Sequence, residues 1–282
     1  MRRLLFVLAL SFAATSLACE KPEARTSLSY TADAKKAYDE AMAEFQAHNW
    51  IEAQALFREV KRKYHYAKYA KLAELRIADA DFEQEKYAEA IRGYRQFVHD
   101  HRSDKDEVSY ARSRIAEAQY RQITESFLLP TADERDQAVI LDAFKELKNY
   151  VHDYPDAKET PKIKELLAEV TARLMRHELY VARFYLQRDN FEAAVLRIQY
   201  AMRNFAGGPQ VRTNKNGAPV VTEEVDSGLE AEALLLLGEV YLKQKKYPEA
   251  REQFAAILRD FPKSPLVVQA ENFLAYMRER GV

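Results

Sequence analysis

A single cysteine, Cys19, leaves this chain of 282 residues without the means to form an intrachain disulfide. Glycine and proline are scarce, seven and nine, and four of the glycines fall between Ala206 and Gly228. A chain so poor in breakers and rich in Ala, Leu, Glu, Lys and Arg favours long helices over strands. No charge of one sign prevails: 43 Lys and Arg stand against 44 Asp and Glu, which removes the basic field expected of a nucleic-acid binder and makes proteins the better default partners. No apolar run is long enough to meet the ~20 residues that a membrane-spanning helix needs. The sequence also lacks a Gly-rich phosphate loop, a nucleophile elbow and any paired-cysteine metal motif, so an enzymatic reading has only scattered histidines to stand on. His99-Asp100-His101 sets two imidazoles on different faces near a helix end, and His177-Glu178 lacks the second His four residues on.

What is present begins with a targeting segment. Arg2 and Arg3 precede an apolar run from Leu4 to Ala14, and Ser16-Leu17-Ala18 offers small-residue ground before Cys19, so residues 1–18 read as a signal peptide. Removing them takes away two Arg and no acid, leaving 41 basic against 44 acidic residues, net −3. A lone cysteine at the cleavage point resembles a bacterial lipobox, in which the thiol receives diacylglycerol and the new amino group is acylated; several acyl chains anchor where one does not. Leu17 stands two residues before Cys19 and Ser16 holds the usual Leu place. The alternative is a free thiol beside an ordinary cleavage site. Glu20 follows, and by resemblance to Gram-negative sorting rules the absence of Asp there favours the outer membrane. Residues 19–31 are polar and aperiodic, as a tether would be.

Five helical hairpins follow. In 177–205, Leu179, Ala182, Tyr185 and Leu186 keep helical spacing, Arg188-Asp189-Asn190 breaks it, and Phe191, Ala194, Val195, Ile198, Ala201, Met202 and Phe205 form a second apolar stripe. Aligning the second helix of each hairpin puts Trp50, Tyr87, Ile140, Phe191 and Tyr247 at its start. Three residues on come Ala53, Ala90, Ala143, Ala194 and Ala250, and Tyr64, His101, Tyr154, Phe205 and Phe261 close it. An alanine column among large side chains marks close helix approach, with rings filling the flanking holes. This is the tetratricopeptide pattern, so the expected fold is an all-α solenoid of about five such hairpins plus a C-terminal helix starting at Ser264-Pro265. Residues 32–155 would form an N-terminal half and 156–282 a C-terminal half. The expected third hairpin runs a helix from about Lys105 to Ser126 before a turn at 129–133, and 206–228 reads as a loop in which Val220 and Val221 are too few for a strand. Lys61-Arg62-Lys63, with Tyr64, Tyr66 and Tyr69 nearby, reads as a solvated face rather than a nucleic-acid patch.

The central stretch resembles the BamD family of outer-membrane β-barrel assembly lipoproteins. The likeness rests on H-E-L-Y-V-A-R-F-Y at 177–185, Arg188, Ala193-Ala194, Arg197, R-D-Q at 135–137 and D-Y-P at 153–155. It covers about residues 33–282 and is strongest from 133 to 205; the 206–228 segment is longer than a tight repeat turn. The resemblance implies a non-enzymatic scaffold with no cofactor beyond a lipid on Cys19, held at the periplasmic face of the outer membrane. It further implies docking on periplasmic domains of the BamA barrel protein, beside other assembly lipoproteins, and a part in receiving unfolded outer-membrane proteins. Arg183, Arg188 and Arg197 gather near the turn and outer faces of the fourth hairpin, and the resemblance makes Arg197 the one expected to meet an acidic group on BamA; the alternative is a solvated or intramolecular ion pair. A periplasmic coordinator of cell-wall synthesis or a pilus-assembly lipoprotein carries similar repeats and is the competing reading.

The first helices of stacked hairpins line the concave side, which nominates Tyr38, Met42 and Phe45, then Leu75, Asp79 and Phe82, as the floor of a groove for extended peptide. The resemblance suggests the aromatic-ended C-terminal segment of unfolded outer-membrane proteins as its occupant. For Phe45 and Phe82, packing between neighbouring hairpins is an equal alternative.

Overall fold

The computed structural model describes residues 27–123, 137–206, 209–213, 219–223 and 228–282. The signal segment, Cys19, Arg135-Asp136 and the expected turn at 129–133 lie outside them. The helices run in pairs: α1 (Ser27–Gln46) with α2 (Trp50–Lys63), α3 (Lys68–Glu83) with α4 (Tyr87–Asp100), α5 (Lys105–Arg121) with α6 (Ala138–Asp153), α7 (Thr160–Leu186) with α8 (Phe191–Phe205), and α9 (Glu230–Lys243) with α10 (Tyr247–Asp260), closed by α11 (Val267–Glu279). Each helix packs on its successor, and first helices of neighbouring pairs also touch, α1 with α3, α5 with α7 and α7 with α9. This is the all-α tetratricopeptide solenoid that the repeats imply.

The alanine column explains the pairing. Ala53, Ala90, Ala143, Ala194 and Ala250 are all fully buried, so each second helix meets its first with no side chain between the backbones. Two glycines extend the same logic: a Cβ built at Gly93 lies 2.9 Å from the Cβ of Ala78, and one at Gly238 lies 2.5 Å from the ring of Phe254. The closing column caps its helices, Tyr64, His101, Tyr154 and Phe261 each donating a backbone N–H to the carbonyl four residues back.

Four of the within-hairpin turns are built alike and without glycine. His48, Glu85, Asp189 and Lys245 have φ between 57° and 61°, and the next residue's N–H reaches back five residues, Asn49 to Glu44, Lys86 to Asp81, Asn190 to Tyr185 and Lys246 to Tyr241. This left-handed C-terminal cap is where helices ordinarily place glycine.

Four boundaries differ from expectation. α1 starts at Ser27, inside the expected tether, because Tyr30 packs edge-on against Tyr64 at 5.4 Å and donates its hydroxyl to the Lys63 carbonyl at 3.3 Å. α5 ends at Arg121, with Gln122 as its cap, rather than at Ser126. α11 starts at Val267, not at Ser264-Pro265, because Ser264 forms a turn whose Oγ accepts from the Leu266 N–H and whose carbonyl accepts from the Val267 N–H. The 206–228 segment contains an antiparallel pair, β1 (Pro209–Thr213) and β2 (Pro219–Glu223), with Val211 opposite Val221. Backbone pairing of β-branched residues thus overrides the expected loop, and each proline stands at a strand's first residue, where it costs the ladder least.

Candidate partner-binding surfaces

The fourth hairpin positions all three expected arginines, but not as one cluster. Arg183 leaves α7 toward α9 and pairs with Glu232. On α9, burial pushes the Glu239 carboxyl above its ordinary range, against the pull of Arg183 and Lys243. Arg188 folds back along its own helix, its guanidinium 3.5 Å over the Phe184 ring and its Nη1 donating to the Phe184 carbonyl at 3.2 Å. Arg197 crosses from α8 to Glu178 of α7, whose carboxylate is buried, at 3.1 Å. Each arginine therefore holds an intramolecular partner, and Arg197 is tied to the packing of its own hairpin.

What the same hairpin exposes is apolar. Tyr180 and Phe184, one turn apart on α7, and Leu196 and Tyr200, one turn apart on α8, all stand out to solvent, Leu196 at 62% and Phe184 at 43% exposure. Tyr200 also meets Phe205 edge-on at 5.8 Å, and Phe205 meets Phe144 of α6 at 5.6 Å, so this aromatic surface is continuous with the core. Exposed aromatic and aliphatic side chains beside arginine have the composition of an interface centre. The sequence held the signal: all four fall outside the two apolar stripes that the core uses.

The N-terminal groove divides. Tyr38 is half-buried between Phe57 at 5.6 Å and Tyr69 at 5.5 Å, Met42 lies partly against the same cluster, and Phe45 packs on Trp50 at 4.9 Å. Leu75 and Phe82 are buried with Tyr94, Phe97 and Ile115 beneath α4 and α5. Asp79 is buried with them, at 2% exposure. The expected floor is therefore not open at Leu75, Asp79 and Phe82: α4 and α5 cover it, and Tyr38, Met42 and Phe45 are the positions that keep a partly exposed face.

Asp79 is instead the centre of a buried polar network. Its Oδ1 accepts from Tyr94 at 2.5 Å and Tyr110 at 3.0 Å, and its Oδ2 lies 2.5 Å from Arg76, off the line of the donor, so that contact is one of charge and not a hydrogen bond. Arg114 completes it, 3.6 Å over the Phe82 ring, with Glu83 at 2.9 Å and Glu117 at 3.3 Å; Lys162 of α7 holds Glu117 at 2.7 Å. Burial, then the Asp79 charge, pushes the Tyr94 phenol well above its ordinary value and Tyr110 up to about 12. The network links α3, α4, α5 and α7 through side chains that sequence periodicity places only as helix-face residues. Among the described residues no group of three or more His, Cys, Asp or Glu is placed to hold a metal ion, and no helix is long and apolar enough to cross a membrane.

Comparison with known proteins places the chain in a family. The family model YfiO, described as outer membrane lipoprotein, matches residues 31–216, and a tetratricopeptide repeat model matches 218–265. Proteins described as outer membrane protein assembly factor BamD align over most of the chain. That of Neisseria meningitidis serogroup A is 22% identical over 84% of this chain and 82% of its own; that of Neisseria gonorrhoeae is 23% identical over 93% and 91%. The Caulobacter vibrioides protein is 25% identical over 80% of this chain and 65% of its own. Among solved structures, the TPR2AB domain of yeast Sti1 covers 82% of the chain at 13% identity with a TM-score of 0.40.

Proposed function

Since the chain belongs to the YfiO family of outer membrane lipoproteins, in which the BamD assembly factors are its relatives, we propose that it is a non-enzymatic scaffold in the assembly of outer-membrane β-barrel proteins. It is anchored by acyl chains on Cys19 to the periplasmic face of the outer membrane. It docks on the periplasmic domains of BamA, beside other assembly lipoproteins, through the α7–α8 hairpin, and it helps to receive unfolded barrel proteins along Tyr38 and Met42. The observation that carries the docking reading is the exposed set Tyr180, Phe184, Leu196 and Tyr200 on one hairpin inside the family-matched segment. Truncating an aromatic anchor at an interface centre commonly costs 2 kcal/mol or more of binding, about thirtyfold.

The test is a pull-down from detergent-solubilised membranes read by mass spectrometry, with wild type and Phe184→Ala/Leu196→Ser. Both side chains are exposed, so the variant should unfold at the wild-type midpoint while recovering far less BamA. Equal recovery removes the hairpin from the interface. Peptidoglycan synthases as the main prey would replace the assembly role with the cell-wall one.

A further inference from the structure

The turn between α2 and α3 is unlike its counterparts. Residues 61–71, K-R-K-Y-H-Y-A-K-Y-A-K, carry five cations and a histidine with no carboxylate. Three cations in the last turn of α2 are in part accounted for by the helix dipole, and Lys61 and Lys63 pair with Glu74 and Glu59. Arg62 and Lys68 form no ion pair among the described residues, and Tyr66 stands out at 87% exposure with the His65 ring 4.0 Å away.

Nothing in the repeat requires an aromatic there. The turn is closed by the Ala67 N–H donating to the Tyr64 carbonyl, and the same bond runs from Asp104 to His101, Ala157 to Tyr154 and Ser264 to Phe261. The position of Tyr66 is taken in those turns by Ser103, Asp156 and Lys263, and in two of them acids stand among the cations, Asp100 and Asp104 beside Lys105 in one, Asp153 and Glu159 beside Lys158 in another. The first turn also differs in its neighbour. Contacts of Tyr30 with Tyr64 and Lys63 fix the start of α1 against it, and Leu28, two residues earlier, is 82% exposed. Cys19 lies eight residues before Ser27, at most about 30 Å of extended chain.

We propose that the α2–α3 turn and the start of α1 form a membrane-contact edge seated on the anionic phospholipid headgroups of the leaflet that holds the anchor. Arg62 and Lys68 meet headgroup phosphates, Lys71 being held by Asp104 at 3.0 Å, and Tyr66 and Leu28 enter the interface, Tyr with its ring in the apolar layer and its hydroxyl in the wet one. This rests on the acyl anchor at Cys19 proposed above: a short tether holds the start of α1, and the α2–α3 turn packed beside it, within reach of the surface, where screened charges act only over about 10 Å. Each cation near such a surface is worth roughly fivefold in association.

An acylated Cys19 leaves no free thiol, so His65→Cys in the full acylated chain, purified from membranes, takes a single nitroxide label, and Val268→Cys on the exposed face of α11 serves as control. The protein is reconstituted into phosphatidylethanolamine vesicles with or without phosphatidylglycerol. The expected result is one label per chain, shielding of the His65 label from a water-soluble relaxation agent only when phosphatidylglycerol is present, loss of shielding in Arg62→Glu/Lys68→Glu, and no change at position 268. One label with an unshielded position 65 overturns the membrane edge and leaves the anchor standing; two labels with an unshielded position 65 removes both. Shielding that survives the double charge reversal, or that appears only in native membranes and not in vesicles, puts a protein on this edge and overturns the proposal.

Discussion

Replacing Asp79 by alanine tests whether the N-terminal half is held by its buried polar network. The carboxylate is almost fully buried and is the shared acceptor of two phenols and the charge partner of Arg76. Deleting it leaves the wholly buried Tyr94 O–H without its acceptor, though Arg114 Nε still donates to the same oxygen at 3.3 Å, a cost of about 1–3 kcal/mol. It also strips Arg76, whose side chain is 25% exposed and lies over the Tyr110 ring at 5.4 Å, of its counter-charge. Removing one member of a buried charged pair typically costs about 3–5 kcal/mol in total, and Asp79→Ala should fall in that range. Asp79→Asn keeps an acceptor for the phenols and loses only the charge, so it should cost less, roughly 1–3 kcal/mol.

Because stacked repeats open piecewise, amide hydrogen exchange is the more telling assay: protection should fall in α3, α4 and α5 while α9 and α10 keep theirs. A double-mutant cycle with Tyr94→Phe isolates the pair, with an expected coupling of about 1–3 kcal/mol. Unchanged protection in Asp79→Ala, or strictly additive effects with Tyr94→Phe, would refute the network. Asp79→Asn that lost unfolded-substrate binding at unaltered protection would return Asp79 to the groove.

The remaining tests address packing, turns and pH. Ala250→Leu forces a branched side chain into a backbone contact with no free space and should lower stability by about 1–3 kcal/mol in urea unfolding. Glu85→Gly relieves a left-handed φ of 61° in an L-residue, which favours the folded state, set against the greater freedom glycine gives the unfolded chain; a net gain of up to ~1 kcal/mol is expected in urea unfolding, and a loss would show that the relief is smaller than the entropy cost. Tyr110 titrates near 12 folded against about 10 unfolded. The unfolded state therefore releases its proton first, and stability should be intact below about pH 10 and fall as pH rises from 10 toward 12. Tyr110→Phe should flatten that slope.

The repeats were legible because helix pairing needs small and large residues at fixed spacing, and the columns from Trp50 to Tyr247 and from Ala53 to Ala250 keep it. What escaped were features that do not repeat. The turns carry His48, Glu85, Asp189 and Lys245 where glycine would announce a left-handed cap, so composition hid their uniformity. The β1–β2 pair escaped because five-residue strands, each opened by a proline, are too short for alternation to speak. Asp79 sat on the concave stripe by periodicity, and only the approach of Tyr94 and Tyr110 from two other helices converts a groove position into a core one. Arg197 shows the same limit: charge reversal to Glu, harmless on a free surface, would set a second carboxylate against buried Glu178.

Alternation of helix direction gives the two proposed surfaces separate edges. Turns within hairpins, such as 187–190 between α7 and α8, lie along one edge of the stack, and turns between hairpins, such as 64–67, lie along the other. Phe184 and Arg188 stand near the first kind of turn; Arg62, Tyr66 and Lys68 stand on the second. A helix of 14 residues such as α2 spans about 21 Å, and the 27 residues of α7 about 40 Å. A chain seated on headgroups by its α2–α3 turn therefore keeps Phe184 and Arg188, at the far end of α7, beyond the reach of surface charge, free for a protein partner. Variants on the two edges share no partner, so their effects on membrane contact and on partner capture should combine without coupling. A charge reversal at Arg62 and Lys68 that abolished capture by the distant hairpin would mean that lipid and protein meet the same edge.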